Sequence, residues 1–223
     1  MKQRFFALNF WFVGLFLLVG LFGCSTIYDA ALGKLGFEKR ELLVSRVKGA
    51  RKAQVAAKEQ FSSALDEFLA VTNYQGEDAG NLEKIYRRVD AEYKASVKRA
   101  DAVRSQNDNV ERTGRALFKE WNKEIGEYSD AAMAATSREQ YRSAERRFEE
   151  LLAAMREAES RLDPVLAKFR DQVLFLKHNL NARAISALEG QVLRVQGDVA
   201  RLIEDLERSI AEQDKFIREM QGA

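Results

Sequence analysis

Few residues in this chain have the chemistry for catalysis or metal binding. Among 223 residues there is one cysteine, Cys24, and one histidine, His178. A disulfide within the chain needs two thiols, so that framework is excluded. A structural zinc site of the Cys/His type needs four such ligands, so no metal is expected. A Ser-His-Asp relay would have to be built on His178, and no serine nucleophile is indicated near it. No phosphate-cradling G-x-x-x-x-G-K-[ST] loop, no G-x-G-x-x-G turn and no G-x-S-x-G elbow occurs. Glu120, Glu124 and Glu127 fall near one side of a helical segment. A di-metal carboxylate bundle wants Glu-x-x-His pairs on two helices, which one histidine does not supply, so these acids read as solvated surface. His178 reads as a polar residue near a helix end, where a cation is favoured. With Asn179, Asn181 and Arg183 it forms the candidate partner-binding cluster of a chain that is expected not to be an enzyme.

Cys24 is the residue whose position is distinctive. Residues 1–23 read MKQRFFALNFWFVGLFLLVGLFG: two cations, a long apolar run, then a small residue. That is the order of an export signal. A retained transmembrane anchor is the competing reading, since the run is long enough, although Asn9, Gly14 and Gly20 weaken it as a permanent span. The stretch Leu21, Phe22, Gly23, Cys24 resembles the lipobox of bacterial lipoprotein signals, with Phe22 bulkier than the residue usual there. The resemblance implies that Cys24 receives a diacylglyceryl thioether, that the chain is cut before it, and that the new N-terminus is acylated. A thiolate is a good nucleophile for that step. The covalent lipid would be the only added group, with no other cofactor, and several acyl chains give stable anchoring at about 0.8 kcal/mol per buried CH2. Ser25, in place of the Asp that retains Gram-negative lipoproteins in the inner membrane, implies the periplasmic face of the outer membrane.

Charge supports an envelope setting over a nucleic-acid partner. The chain has 36 basic and 34 acidic residues, and the excess of +2 lies in Lys2 and Arg4 of the leader. A neutral mature chain lacks the positive excess of nucleic-acid-binding domains, so no nucleic acid is expected.

The elements that carry these residues are helical. There is one proline, and 31% of residues are charged. Residues 24–37 read as the lipidated cysteine and a membrane-proximal tether in which Gly33 and Gly36 interrupt helix propensity. From residue 38 to 223 apolar residues recur at spacings of three and four, as on amphipathic helices with coiled-coil-like seams. One seam runs from Leu43 through Gln54 to Phe68. The second runs from Tyr86 through Asn107 and Gly114 to Tyr128, unbroken across SQNDN, with Asn107 a polar residue that sets register. The third runs from Tyr141 to Leu180 and contains Pro164, where a kink or a break and restart is expected. The fourth runs from Leu188 through Leu206 and Ile210 to Met220. Turn residues at 73–80 and near 178–184 separate them, with Asn181 as a helix cap, and a capping box at Thr136/Glu139 or Ser137/Gln140 opens the third. The fold expected is all-α: an elongated antiparallel helical bundle, up-down-up-down, behind a lipoprotein signal peptide.

The segments YDAALGKLGFEKRELLVSRVKGARKAQ, ALFKEWNKEIGEYS and DPVLAKFRDQVLFLKHNLNARAISAL resemble an uncharacterised bacterial family catalogued as a domain of unknown function, over residues 24–221. The resemblance implies a helical envelope lipoprotein with no known catalytic role. Membrane lipid through the N-terminal anchor, an envelope protein and a second copy of the chain are the partners expected. A regulator or enzyme acting on envelope polymers is the alternative. A DNA-repair coiled coil, an automatic label on some family members, is disfavoured by the missing phosphate loop and the export signal.

Overall fold

The computed structural model describes the backbone of residues 24–72, 79–179 and 182–222, and side chains over 38–71, 81–179, 191 and 193–221. It contains helices α1 (Cys24–Thr72), α2 (Ala79–Ile125), α3 (Ala131–Ser160), α4 (Leu162–His178) and α5 (Ala182–Gly222), with no strand among the described residues. The chain divides into two compact units, residues 1–41 and 42–223. In the first, the backbone is helical from Cys24 onward, through both Gly33 and Gly36. Each glycine costs about 1 kcal/mol relative to alanine in a helix. Flanking Ala30, Ala31, Leu32, Lys34 and Leu35 are good helix formers that carry the helix across them.

The second unit is a bundle with four arms, because α3 and α4 run end to end as one. Polar pairs on neighbouring arms set the direction. Arg88 Nε donates to Glu67 Oε1 at 2.7 Å, and Gln60 Nε2 to Glu92 Oε2 at 2.5 Å, joining α1 to α2. Arg104 meets Asp163 at 2.5 Å, and Arg115 meets Glu149, joining α2 to the third arm. Arg161 meets Asp205 at 2.6 Å and Lys215 meets Glu150 at 3.9 Å, joining that arm to α5. The ring closes through Arg51–Asp214 at 2.6 Å and Lys58–Glu207 at 3.1 Å between α1 and α5. Along each joint one number rises as the other falls, so neighbouring arms are antiparallel, as the short connections require. Phe61 and Phe68 cross the centre to stack on Phe169, with ring centroids 6.0 and 4.7 Å apart.

The apolar seams are buried as their spacing predicts: Leu43, Val47, Ala50, Ala57, Phe61, Ala64 and Phe68 on α1, and Phe148 through Leu176 on the third arm. Helix α2 is continuous across SQNDN. Tyr128, placed on the second seam by spacing, lies instead in the exposed α2–α3 connection. Ile210 is only half-buried, and the fourth seam passes through Ser209 and Gln213.

Two apolar clusters make the core. One holds Ala57, Phe61, Val103, Phe169 and Leu206, the other Ala50, Val110, Phe148, Met155 and Phe216. A polar layer lies between them. Gln213 Nε2 donates to Gln54 Oε1 at 2.8 Å and to Ser209 Oγ at 3.2 Å. Gln54 Nε2 donates to Asn107 Oδ1 at 3.4 Å, and Asn107 Nδ2 donates to Glu159 Oε2 at 2.8 Å. Asn107 therefore sits on the seam as expected, within a network that involves all four arms.

The third arm begins earlier than the proposed capping box. Asp130 is the N-cap: its Oδ1 accepts from the backbone N–H of Ala132 at 2.7 Å and of Met133 at 3.0 Å. Thr136 instead donates back to the Ala132 carbonyl at 3.0 Å, and Ser137 accepts from Trp121 Nε1 at 3.0 Å. The arm breaks at Arg161 and restarts at Leu162, two residues before Pro164. Proline has no N–H for the Ser160 carbonyl four residues back and its ring crowds that carbonyl, which places the break there.

Candidate functional site

Leu21, Phe22 and Gly23 lie outside the described residues. Cys24 and Ser25 belong to the first turn of α1, and their side chains lie outside the described ones. Asn181 is likewise outside, and Arg183 is described only as backbone in α5. His178 is exposed at the C-terminal end of α4. Asn179 caps that helix: its backbone N–H donates to the Leu176 carbonyl at 3.2 Å, and its Nδ2 to the Phe175 carbonyl at 3.0 Å. The structure thus gives Asn179 a capping role, and among the described residues it brings His178 and Asn179 together at one helix end.

One turn back along α4 there is a cleft that spacing alone does not reveal. It lies between α4 and α5, has a volume of about 440 Å3, and is lined by Asp171, Gln172 and Phe175 on one side and Gln191, Arg194 and Val195 on the other, with Lys168 at one end. Antiparallel packing of the two helices brings these residues together. Lys168 is ion-paired with Asp198, which also meets Arg201 at 2.5 Å. The hydrogen bond from Lys168, reinforced by Arg201, holds the Asp198 carboxyl below its ordinary range, against partial burial that pushes it up. Arg194 Nη2 donates to Gln191 Oε1 at 2.9 Å.

Gln172 is the unusual member. It is 6% exposed, and its Oε1 is buried with no hydrogen-bond partner among the described residues. Buried acceptors are nearly always paired. The sequence carries one sign of this position: a glutamine inside the apolar stripe between Phe169 and Val173.

Elsewhere the buried charge is neutralised. Asp205, 5% exposed, is gripped by Arg161 at 2.6 Å and Arg208 at 3.1 Å. Among the described residues no group of three or more His, Cys, Asp or Glu side chains is arranged to hold a metal ion. Among them, too, no helix is long and apolar enough to cross a membrane.

A family model described as "Protein of unknown function (DUF2959)" matches residues 28–220. The chain belongs to this family. The match takes in all four arms of the bundle, both apolar clusters, the polar layer and the α4–α5 cleft. No curated protein matches the chain.

Proposed function

We propose that this DUF2959 member is a lipoprotein, anchored through a lipid on Cys24 to the periplasmic face of the outer membrane, whose helical bundle is a non-enzymatic interaction module of the envelope. The observation that carries the reading is the run Leu21-Phe22-Gly23-Cys24 directly after a cationic and apolar leader, followed by Ser25. Among the described residues Asp205 is the buried acid, and it is committed to two arginines. The α4–α5 cleft lies towards the end of the bundle opposite Leu42.

The test is the mass of the N-terminal peptide from the membrane fraction, beside a Cys24→Ala variant. A peptide beginning at Cys24 and carrying diacylglyceryl and acyl groups is the expected result, with release from the membrane or a retained leader in the variant. An intact, unmodified Met1 in the parent chain overturns the reading. Separation of inner and outer membranes then tests the role given to Ser25.

A further inference from the structure

We propose that α4 is a lid: it leaves the bundle as one unit, hinged at Arg161, and uncovers the apolar cluster beneath it while the other arms stay folded. The start of α4 is built as a hinge. The third arm is broken there, and the backbone bonds across the junction are long: 3.4 Å from the Arg161 N–H to the Ala158 carbonyl, and 3.5 Å from the Val165 N–H to the Arg161 carbonyl. Pro164 brings no N–H to this turn. Arg161 itself is fastened to Asp205 on α5 at 2.6 Å, which fixes where the moving part begins.

Beyond the hinge α4 is held more loosely than α3. Helix α3 is tied to its neighbours by Glu149 to Arg115, Arg156 to Glu111, Glu150 to Lys215 and Glu159 to Asn107. Helix α4 has Asp163 to Arg104 and Lys168 to Asp198, both in its first half. After Lys168 no side-chain hydrogen bond or ion pair joins α4 to another arm among the described residues. The polar bonds of that stretch, Arg170 to Asp171 and Asn179 to the Phe175 carbonyl, stay within the arm. The cleft of about 440 Å3 separates α4 from α5 at the same level. The closed position also carries a cost. Gln172 Oε1 is sealed from solvent without a partner, and opening returns water to it, which makes opening easier. The polar layer of Gln54, Asn107 and Gln213 confines the loss of apolar contact to one of the two clusters. What opening uncovers is aromatic: Phe61 and Phe68 lose their stack on Phe169. Seventeen residues with a proline in the first turn are too few to stay helical alone, so a released α4 exposes its amides.

This inference goes beyond the anchoring proposal and does not depend on it. The test is native-state hydrogen exchange of the full chain in detergent micelles, read by mass spectrometry at low urea concentrations. Amides of residues 165–176 should be protected at least tenfold less than those of 144–158, and their protection should fall less steeply with urea, as in a local opening that exposes less surface. Amides of 57–68 on α1 and 195–206 on α5, which flank α4, should stay as protected as those of 144–158. Gln172→Met removes the unpaired acceptor at nearly constant volume, so it should raise protection in α4 about tenfold and leave α3 unchanged. Equal protection in α3 and α4 of the parent chain overturns the proposal. So does joint loss of protection in α4 and the flanking segments, which would mean that the whole half of the bundle melts together. A Gln172→Met chain whose α4 protection is unchanged, or rises only together with that of α3, overturns it as well.

Discussion

Phe148 packs its ring against the bare Cα of Gly114. A Cβ placed on that glycine would lie 2.7 Å from Phe148 Cε1 and closer still to two other ring carbons. The ring is fully buried, flanked by Phe118 and Phe216 at centroid distances of 5.2 and 6.2 Å. Glycine to alanine inside a helix ordinarily stabilises by about 0.5–1 kcal/mol. At Gly114 the overpacking term, about 1–3 kcal/mol, is larger and reverses the sign. Gly114→Ala should lower the urea midpoint. Gly197→Ala on α5, where a new Cβ meets nothing within 4 Å, should raise it. Combining Gly114→Ala with Phe148→Leu should cost less than the two changes added separately, because they share one space. A stabilised Gly114→Ala protein would show that the two helices are farther apart than described.

The polar layer makes a different prediction. Gln54 and Gln213 are fully buried and Asn107 nearly so, and they answer one another's hydrogen bonds. Replacing Asn107 by leucine leaves the Gln54 amide without its acceptor and the Glu159 carboxylate without its donor. That should cost about 1–3 kcal/mol in denaturant unfolding. Converting Gln54, Asn107 and Gln213 together to leucine removes the stranded Gln54 amide and the unpaired Gln213 Oε1, and leaves Glu159, which is only half-buried, and the Ser209 hydroxyl without those partners. The triple variant should recover most of the loss or exceed the parent, as apolar replacement of buried polar sets often does. If the layer fixes how the arms align, the triple variant should also sample additional oligomers by size-exclusion chromatography. Triple losses that simply add would rule out a shared network.

At the α3–α4 break, Pro164 removes a donor and Arg161 fastens the junction to Asp205 on α5. Pro164→Ala supplies an N–H for the Ser160 carbonyl and should merge the two helices, with slower amide exchange over residues 161–165. Arg161→Ala should destabilise by about 1–3 kcal/mol, since the buried Asp205 carboxylate loses one of its two cations. Exchange over 161–165 that is unchanged in Pro164→Ala would place the cause of the break elsewhere.

The stripes of α1, α2 and the third arm are legible in sequence because burial repeats at helical spacing, and polar Asn107 stands out within its stripe. The start of α3 is not legible that way. Residues 131–136 are mostly exposed, so they show no periodicity, and only the Asp130 cap and the alanines after it mark a helix. The α5 half of the polar layer is hidden for a related reason. A search for apolar positions steps to Ile210 and past Ser209 and Gln213, though the latter two are the buried ones. Gln172 is visible as a polar residue in an apolar stripe. Its meaning depends on the sealing of its Oε1 without a partner, which only the packing of α4 in the bundle shows.

Acid should weaken the bundle through ion pairs between arms. Asp198 is held low by Lys168 and Arg201, and Glu111 is held low chiefly by Arg156, with Arg115 assisting. A carboxyl that is more acidic in the folded state leaves the unfolded chain binding more protons as pH falls. Its stabilisation is complete above the ordinary carboxylate value, about 4, and is lost as pH drops through the folded value. Both groups retain solvent contact, so each should contribute no more than about 1 kcal/mol. Tyr141 acts at the other extreme. Burial, aided by its 2.6 Å hydrogen bond to Glu145, pushes its hydroxyl up to about 12, so its contribution holds below the ordinary tyrosine range and fades as pH rises through that value. Urea midpoints should fall between pH 5 and pH 3, and Asp198→Asn with Glu111→Gln should flatten that fall while lowering the midpoint at pH 7. Absorbance titration of tyrosinate should lose its last phase in Tyr141→Phe. An acid profile that both carboxylate substitutions leave unchanged would mean these pairs do not bind the arms together in solution.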